Sequence, residues 1–448
     1  MVWYRMKIVF IVERLSNYRF FLPLIKASIK RKYLVECWHD YSQPQGGNKG
    51  YSFPRLDAAP NYLIVNGVQL VKYFGCADLK IRLEQEKTVD AVISIHAINY
   101  LFKKGFSKRV SFCWIIVFVG IDHFIEMYPL KQSRAWYCKN ERFCIDTKFW
   151  KEEMQKFYNE FAPKTPLLEQ QGKIKVTGSV EFDLMDIAPK ELIREKYGIP
   201  KGKDICLYLP YPYADRGRNS AWERAFCGYF TNVYRGKDGR YTHEKKRAIF
   251  SAIIYKLYCL KKIFCDPFAL KFFLKKLNEK SFSKAMKKFC HKNNLWYVIK
   301  PRLKFPVSAP VQRDADLVIW DDEIQQDPSR LKELLSISRI LVSYSSTAIF
   351  QAAYMGVFSI TIPPPIDVFC VKHDEMWYSV NEGDAFNFPG VNVAWALDSV
   401  IQNLTSSSID EFVINEKKRK DFLSKYLNDN DNVATDAVLD IVANYRPV

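Results

Sequence analysis

Three consecutive hydroxyls, Ser345, Ser346 and Thr347, stand between a strand-like run that ends at Ser343 and a helical run from Thr347 to Met355. Hydroxyls and unpaired backbone N–H groups at the start of a helix attract negative charge, so a phosphate is a natural occupant. The plainer role is capping, with Ser345 satisfying the helix's own N–H groups. A second group follows the apolar run Trp296 to Ile299: Lys300 and Arg302 in VIKPRLK offer cations to a diphosphate, a phosphate or a sugar carboxylate, or simply stand solvated. A third follows the run Ile205 to Leu209, where PYPYADRGRNSAWERAF carries Asp215, Arg216, Arg218 and Glu223. Beyond it, Asn232 lies between aromatics beside Arg235. Covalent double displacement needs a carboxylate nucleophile; Asp215 and Glu223 are candidates, and Asn232 is one if it stands where an Asp would act.

Ser16, Asn17, His96, Asp122, His123 and Glu126 also follow strand-like runs, near the N-terminus. Of these, His123 and His96 have the residue type for a general base, though a hydrogen-bonded structural histidine is the plainer role for each. His243, His291 and His373 are not at ligand spacing, so no metal site is expected.

The elements that must position these groups alternate. Lys7 to Glu13, Tyr33 to Trp38, Ala91 to Ala97 and Val110 to Ile121 read as buried strands, with helices at Arg19 to Lys30, Val68 to Glu86 and Phe149 to Phe161. A second series has strands at Ile205 to Leu209, Trp296 to Ile299, Leu317 to Trp320, Ile340 to Val342 and Phe358 to Ile362. Its helices are Lys190 to Lys196, Arg330 to Ser336 and Thr347 to Met355. Continuous apolar strands alternating with helices imply parallel sheets covered on both faces. The expected fold class is α/β, as two Rossmann-like domains facing each other across a cleft. The N-terminal domain spans 1–178 and the C-terminal domain 179–405 with a helical insert at 244–292. Helices in 406–448 cross back to the first domain.

The chain has 448 residues, 48% of them hydrophobic and 15% aromatic, and a net charge of +18. That composition excludes a disordered, collagenous or coiled-coil chain. Between Tyr241 and Lys304 there are 17 Lys+Arg against 3 Asp+Glu, so nearly all of the excess charge sits in the insert and the strand after it. Aromatics and lysines interleaved at helical spacing suit a surface that meets anionic lipid headgroups, as well as an ordinary helix pair with one solvated face. No run reaches the roughly 20 apolar residues of a membrane span. The N-terminus meets Glu13 and Arg14 after one short apolar run and reads as a strand, not a signal peptide. Eleven cysteines without CxxC pairs point to reduced thiols in the cytoplasm.

VTGSVEFD, at Val176 to Asp183, precedes the strand ICLYLPYPYADRGRN by about twenty residues, and Tyr344-Ser345-Ser346 is followed by Ala352 and Gly356. Over roughly Lys173 to Pro365 the chain thereby resembles the GT-B glycosyltransferases, in which the first motif opens the C-terminal domain and the second holds the donor's phosphate. A Ser-Ser pair together with a Lys-Pro-Arg turn looks most like bacterial transferases with cytidine-nucleotide donors, although the commoner turn there is His-Pro. The nearest likeness is to the β-Kdo transferase domain of O-antigen or capsule assembly.

The resemblance implies transfer of Kdo, or a related ulosonic acid, from a CMP-activated donor to a lipid-linked glycan. It implies no metal and no cofactor besides the donor nucleotide. Donor binding would fall to Lys300, Arg302, Ser345, Ser346, Thr347, Asp321, Arg216 and Arg235, with Asp321 serving cytidine or ribose. Catalysis would fall to Asn232, Asp215, Glu223 or His123. The protein would be cytoplasmic and peripheral at the inner membrane. Two other readings are a CDP-glycerol-type polyol-phosphate transferase and, more remotely, a non-catalytic nucleic-acid-binding module.

Overall fold

The computed structural model describes residues 5–42, 53–102, 106, 110–117, 140–153, 172–183, 187–210, 234–235, 241–242, 257, 279–301, 309–321, 324–326, 328–344, 346–363, 380–396, 398–427 and 433–445. Two parallel sheets organise them. The first contains β1 (Lys7–Val12), β2 (Leu34–Asp40), β3 (Gln69–Tyr73), β4 (Ala91–Ser94), β5 (Cys113–Val117), β6 (Glu141–Ile145) and β7 (Ile174–Val176), in the order β3-β2-β1-β4-β5-β6-β7. The second contains β8 (Ile205–Leu209), β11 (Trp296–Ile299), β12 (Leu317–Val318), β13 (Ser338–Tyr344), β14 (Phe358–Ile362) and β15 (Asn392–Ala394), in the order β12-β11-β8-β13-β14-β15. A short antiparallel pair, β9 (Tyr234–Arg235) and β10 (Tyr241–Thr242), stands apart from both.

Burial explains why these strands are mostly apolar. Every residue of β4, β5 and β14 is buried, as strands covered by helices on both faces require. The helix Tyr18–Lys30 covers one face of the first sheet, and the last helix, Ala434–Ala443, packs beside it through Val438, Leu439 and Val442. Arg31 fixes that contact with 2.7 Å bonds to Asp436 and Asp440. On the opposite face the core of the first sheet runs on into the second half of the chain. Phe350 and Ala353, from the helix Ala348–Tyr354, pack there with Trp150, Phe182 and Tyr426.

Connectivity places the crevices. From β1 the chain builds outward through β2 to β3 and returns to β4 on the other side of β1. From β8 it builds outward through β11 to β12 and returns to β13 on the other side of β8. The β1/β4 and β8/β13 gaps are therefore the topological switch points, where open parallel sheets bind ligands beyond the strands' carboxyl ends.

Some elements differ from the sequence reading. The stretch Val68 to Glu86 is a strand, β3, followed by a helix over Gly75–Gln85, and not one helix. Strands β6, β7 and β15 were not apparent as apolar runs, since each is short and interrupted by charged or polar residues. Of the helical insert, the helix Glu279–Lys292 is described, with Phe282, Met286 and Phe289 buried and Lys284, Lys287, Lys288 and His291 exposed. Among the described residues no helix is long and apolar enough to cross a membrane.

Candidate active site

Glu13 is the first residue beyond β1, and His96 lies two residues beyond β4. They face each other at the first switch point, with His96 Nε2 3.1 Å from Glu13 Oε2. The loop that carries His96 is held on both sides: its N–H donates to Ser94 Oγ at 3.0 Å, and its carbonyl accepts from Trp114 Nε1 at 3.0 Å. Asn17 shapes the turn after β1, its Oδ1 accepting the N–H groups of Glu13 and Arg14, each at 2.9 Å. Asn17 is buried, and its Oδ1 is engaged by this turn.

At the second sheet Lys300 follows β11 directly and is 5% exposed. Its Nζ donates to Asp321 Oδ2, the partner lying beyond β12. The two residues, read from the sequence as separate donor contacts, form one buried ion pair. Such a pair presents a fixed dipole, because each charge is already balanced. Beyond β13, Ser346 Oγ accepts the N–H of Ala348 at 3.3 Å, which makes it a helix cap, and Thr347 lines a cavity between the two halves. Arg235 lies in β9, paired with Tyr241. Asp215, Arg216, Glu223, Asn232, His123, Arg302 and Ser345 lie outside the described residues.

The two halves join at the segment Thr177 to Asp183. Gly178, at φ +87°, adopts a left-handed conformation open to glycine at little cost, and Ser179 N–H then bonds Leu427 O at 2.9 Å. Glu181 is the hub of this junction. Its Oε1 accepts from Gln351 Nε2 at 2.5 Å and lies 3.4 Å from Arg19 Nε and 3.6 Å from Lys332 Nζ. Lys332 Nζ also donates to the Glu181 carbonyl at 2.9 Å. Asp146, immediately after β6, is buried beside this cluster. Burial, reinforced by the Glu181 charge, raises its pKa well above the usual carboxylate range, and a hydrogen bond with Ser179 only partly opposes that. The cavity bordered by Arg19, Asp146, Glu181, Thr347 and Gln351 therefore sits where elements leaving the carboxyl ends of both sheets meet.

Arg19, Asp146, Glu181 and Gln351 were not singled out in the sequence. Gln351 carried one usable signal, standing one helical turn from Thr347 and so on the same face. Asp146 carried none, since the strand before it was not recognised. Among the described residues no three His, Cys, Asp or Glu side chains are grouped so as to hold a metal ion.

Neither a protein-family model nor a curated protein matches the chain. Solved structures do. The wall teichoic acid polymerase TagF superposes with a TM-score of 0.53 at 11% identity, over 98% of this chain and 88% of that one. A putative UDP-N-acetylglucosamine 2-epimerase from Listeria monocytogenes gives a TM-score of 0.50 at 12% identity, over 99% of this chain and 98% of that one. Both likenesses run the length of the chain and include both sheets. The chain has the GT-B fold. At such identities the likeness carries the fold alone.

Proposed function

We propose that the chain is a glycosyltransferase that moves Kdo, or a related ulosonic acid, from a CMP-activated donor to a lipid-linked glycan of O-antigen or capsule assembly. The observation that supports it best is the meeting, at one cleft, of elements from the carboxyl ends of both sheets. In this reading the second switch point takes the nucleotide, with Ser346 and Thr347 on its β13 side. Asp215, Glu223 and Asn232, which follow β8 in the sequence, are its candidate catalytic residues. The first switch point takes the acceptor, with His96 and Glu13 beside its hydroxyl. The basic face of the helix Glu279–Lys292 would rest against anionic lipid, keeping the enzyme near its acceptor.

A polyol-phosphate transfer is the second reading, favoured by the fold shared with the wall teichoic acid polymerase. Thermal shift with CMP, CDP, UDP and GDP separates the two. A donor-site nucleotide at 100 times its dissociation constant should stabilise the protein by about 2.7 kcal/mol. CMP acting more strongly than CDP supports the sugar-acid donor, and CDP acting more strongly supports the polyol phosphate. No gain with either cytidine nucleotide overturns both.

A further inference from the structure

The edge strands of the two sheets are unequal. At three of the edges stand β7, β12 and β15, with three, two and three residues, lengths at which an open edge offers few hydrogen bonds. The fourth edge is β3, which has five residues and pairs with β2 along its whole length. Among the described residues no strand pairs with its other side. The Tyr41 N–H donates to the Tyr73 carbonyl at 2.7 Å, so Tyr73 turns its backbone toward β2. Backbone groups alternate sides along a strand, and those of Leu70 and Lys72 therefore point out from the edge. Proline is absent from β3, and its single charged residue, Lys72, lies with Nζ 4.8 Å from the centre of the Tyr41 ring.

The surroundings of this edge are apolar and electrically mixed. Of the ten large apolar side chains exposed among the described residues, five stand here. Leu34 opens β2, Ile64 and Val65 end the short helix Asn61–Val65 before β3, and Phe74 and Ile81 follow β3. Exposed apolar side chains gathered beside an open strand mark a contact surface. From Asn61 to Gln85 three cations, Lys72, Lys80 and Arg82, stand against two carboxylates, Asp78 and Glu84. Arg82 bonds Asp78 at 2.9 Å, and Lys80 lies 4.0 Å from Glu84. In a chain of net charge +18, this is a face where two copies meet with little like-charge repulsion.

We propose that the β3 strands of two copies of the chain pair antiparallel about a two-fold axis at Val71, joining their seven-stranded sheets into one. A two-fold contact must complement itself. Centred on Val71, it sets Leu70 of each copy opposite Lys72 of the other, so the backbone groups that point outward satisfy one another. Antiparallel pairing also lays the amino end of one β3, with Ile64 and Val65 before it, beside the carboxyl end of the other, with Phe74 after it. The apolar groups at the two ends of the strand thereby cover each other.

Sedimentation equilibrium of the full chain over roughly 1–100 μM tests the contact. The wild-type mass should rise with concentration to twice that of the chain and stop there. Lys72→Pro removes an outward N–H, which an edge strand tolerates, and should raise the dimer dissociation constant at least about tenfold. Phe74→Glu, at a side chain that is already 60% exposed, should raise it by a similar factor. Leu192→Glu, on the helix Lys190–Tyr197 of the second half, should leave it within about twofold. A monomer throughout the range overturns the proposal, as does a mass that climbs past the dimer. An unchanged constant in either folded variant at the edge also overturns it, and so does an equal loss in Leu192→Glu.

Discussion

His96 Nε2 and Glu13 Oε2 stand 3.1 Å apart across the gap between β4 and β1, each side chain no more than 15% exposed. An imidazole held by a carboxylate at a switch point has its ring oriented, and the carboxylate stabilises the imidazolium that forms when the ring takes a proton. His96→Gln should therefore lower sugar transfer about 10²- to 10⁴-fold while leaving nucleotide affinity unchanged. Glu13→Gln should lower it less, because the ring itself remains. Steady-state transfer assays beside nucleotide titrations decide the matter. A loss of stability with undiminished turnover in the folded fraction would make the pair structural.

Ser346 already has work as a cap, but its 3.3 Å bond to Ala348 N–H is long. Ser346→Ala should thus cost the fold about 0.5–1 kcal/mol. If the hydroxyl also meets a donor phosphate, the same substitution should weaken CMP binding by roughly 1–2 kcal/mol. Lower stability with unchanged CMP affinity would leave only the cap.

His39 supplies a pH dependence independent of catalysis. It is wholly buried, with ring nitrogens 2.7 Å from Tyr18 Oη and 2.8 Å from the Pro54 carbonyl. Burial lowers its pKa from 6.5 to about 4. Between those values the unfolded chain binds a proton that the folded chain does not, so this contribution to stability is present above pH 6.5 and lost as pH falls toward 4. The loss amounts to about 3 kcal/mol at most, at 1.36 kcal/mol per pH unit. Urea midpoints for wild type and His39→Gln should show the difference between the two proteins shrinking across that window. A constant difference would mean that the ring does not titrate there.

The exposed face of the helix Glu279–Lys292 presents Lys284, Lys287 and Lys288, while Phe282, Met286 and Phe289 bury its other side. Reversing those three lysines to Glu should reduce sedimentation with anionic vesicles, each lysine contributing about 1 kcal/mol near such a surface. Raising the salt concentration should weaken the wild-type interaction in the same direction. Equal sedimentation before and after reversal would remove the membrane reading.

Sequence patterning reached the centres of both sheets more readily than their edges. Ile205–Leu209, Trp296–Ile299 and Phe358–Ile362 are recognisable because a strand covered on both faces is mostly apolar, even where Ser359 and Thr361 interrupt the run. The edge strand β3, QLVKY, has only Tyr73 buried, so its residues blend with the helix that follows. Strand β6, ERFCI, begins with a charged pair, yet Glu141 is fully buried because its carboxylate accepts the Ile98 N–H at 2.7 Å. A tertiary partner of that kind has no sequence signature, and Asp146, directly after β6, was lost with the strand. The Glu181 hub was hidden for the same reason: its partners Arg19, Lys332 and Gln351 lie on three separate helices. The hydroxyl triplet and Lys300 were legible because they follow strands in the sequence itself, whereas the balancing of Lys300 by Asp321 depends on the parallel pairing of β11 with β12.

Asn232 is the remaining candidate for the nucleophile's position. In the sequence it stands between β8, which ends at Leu209, and β9, which begins at Tyr234. A retaining transfer by double displacement needs an ionised carboxylate to attack the sugar's anomeric carbon, and a neutral amide is a far weaker nucleophile. If Asn232 occupies that position, Asn232→Asp should raise turnover of CMP-Kdo by orders of magnitude, with nucleotide affinity nearly unchanged. A covalent sugar adduct on the new carboxylate, trapped by rapid quenching and located by peptide mass spectrometry, would identify the attacking atom. Asp215 and Glu223 are the competitors on the same connection, and each already carries a carboxylate. Asp215→Ala or Glu223→Ala should then lower turnover only modestly in the Asn232→Asp background. If Asn232→Asp leaves the rate unchanged while Glu223→Ala abolishes it, the nucleophile is Glu223 and Asn232 is an ordinary residue of the connection.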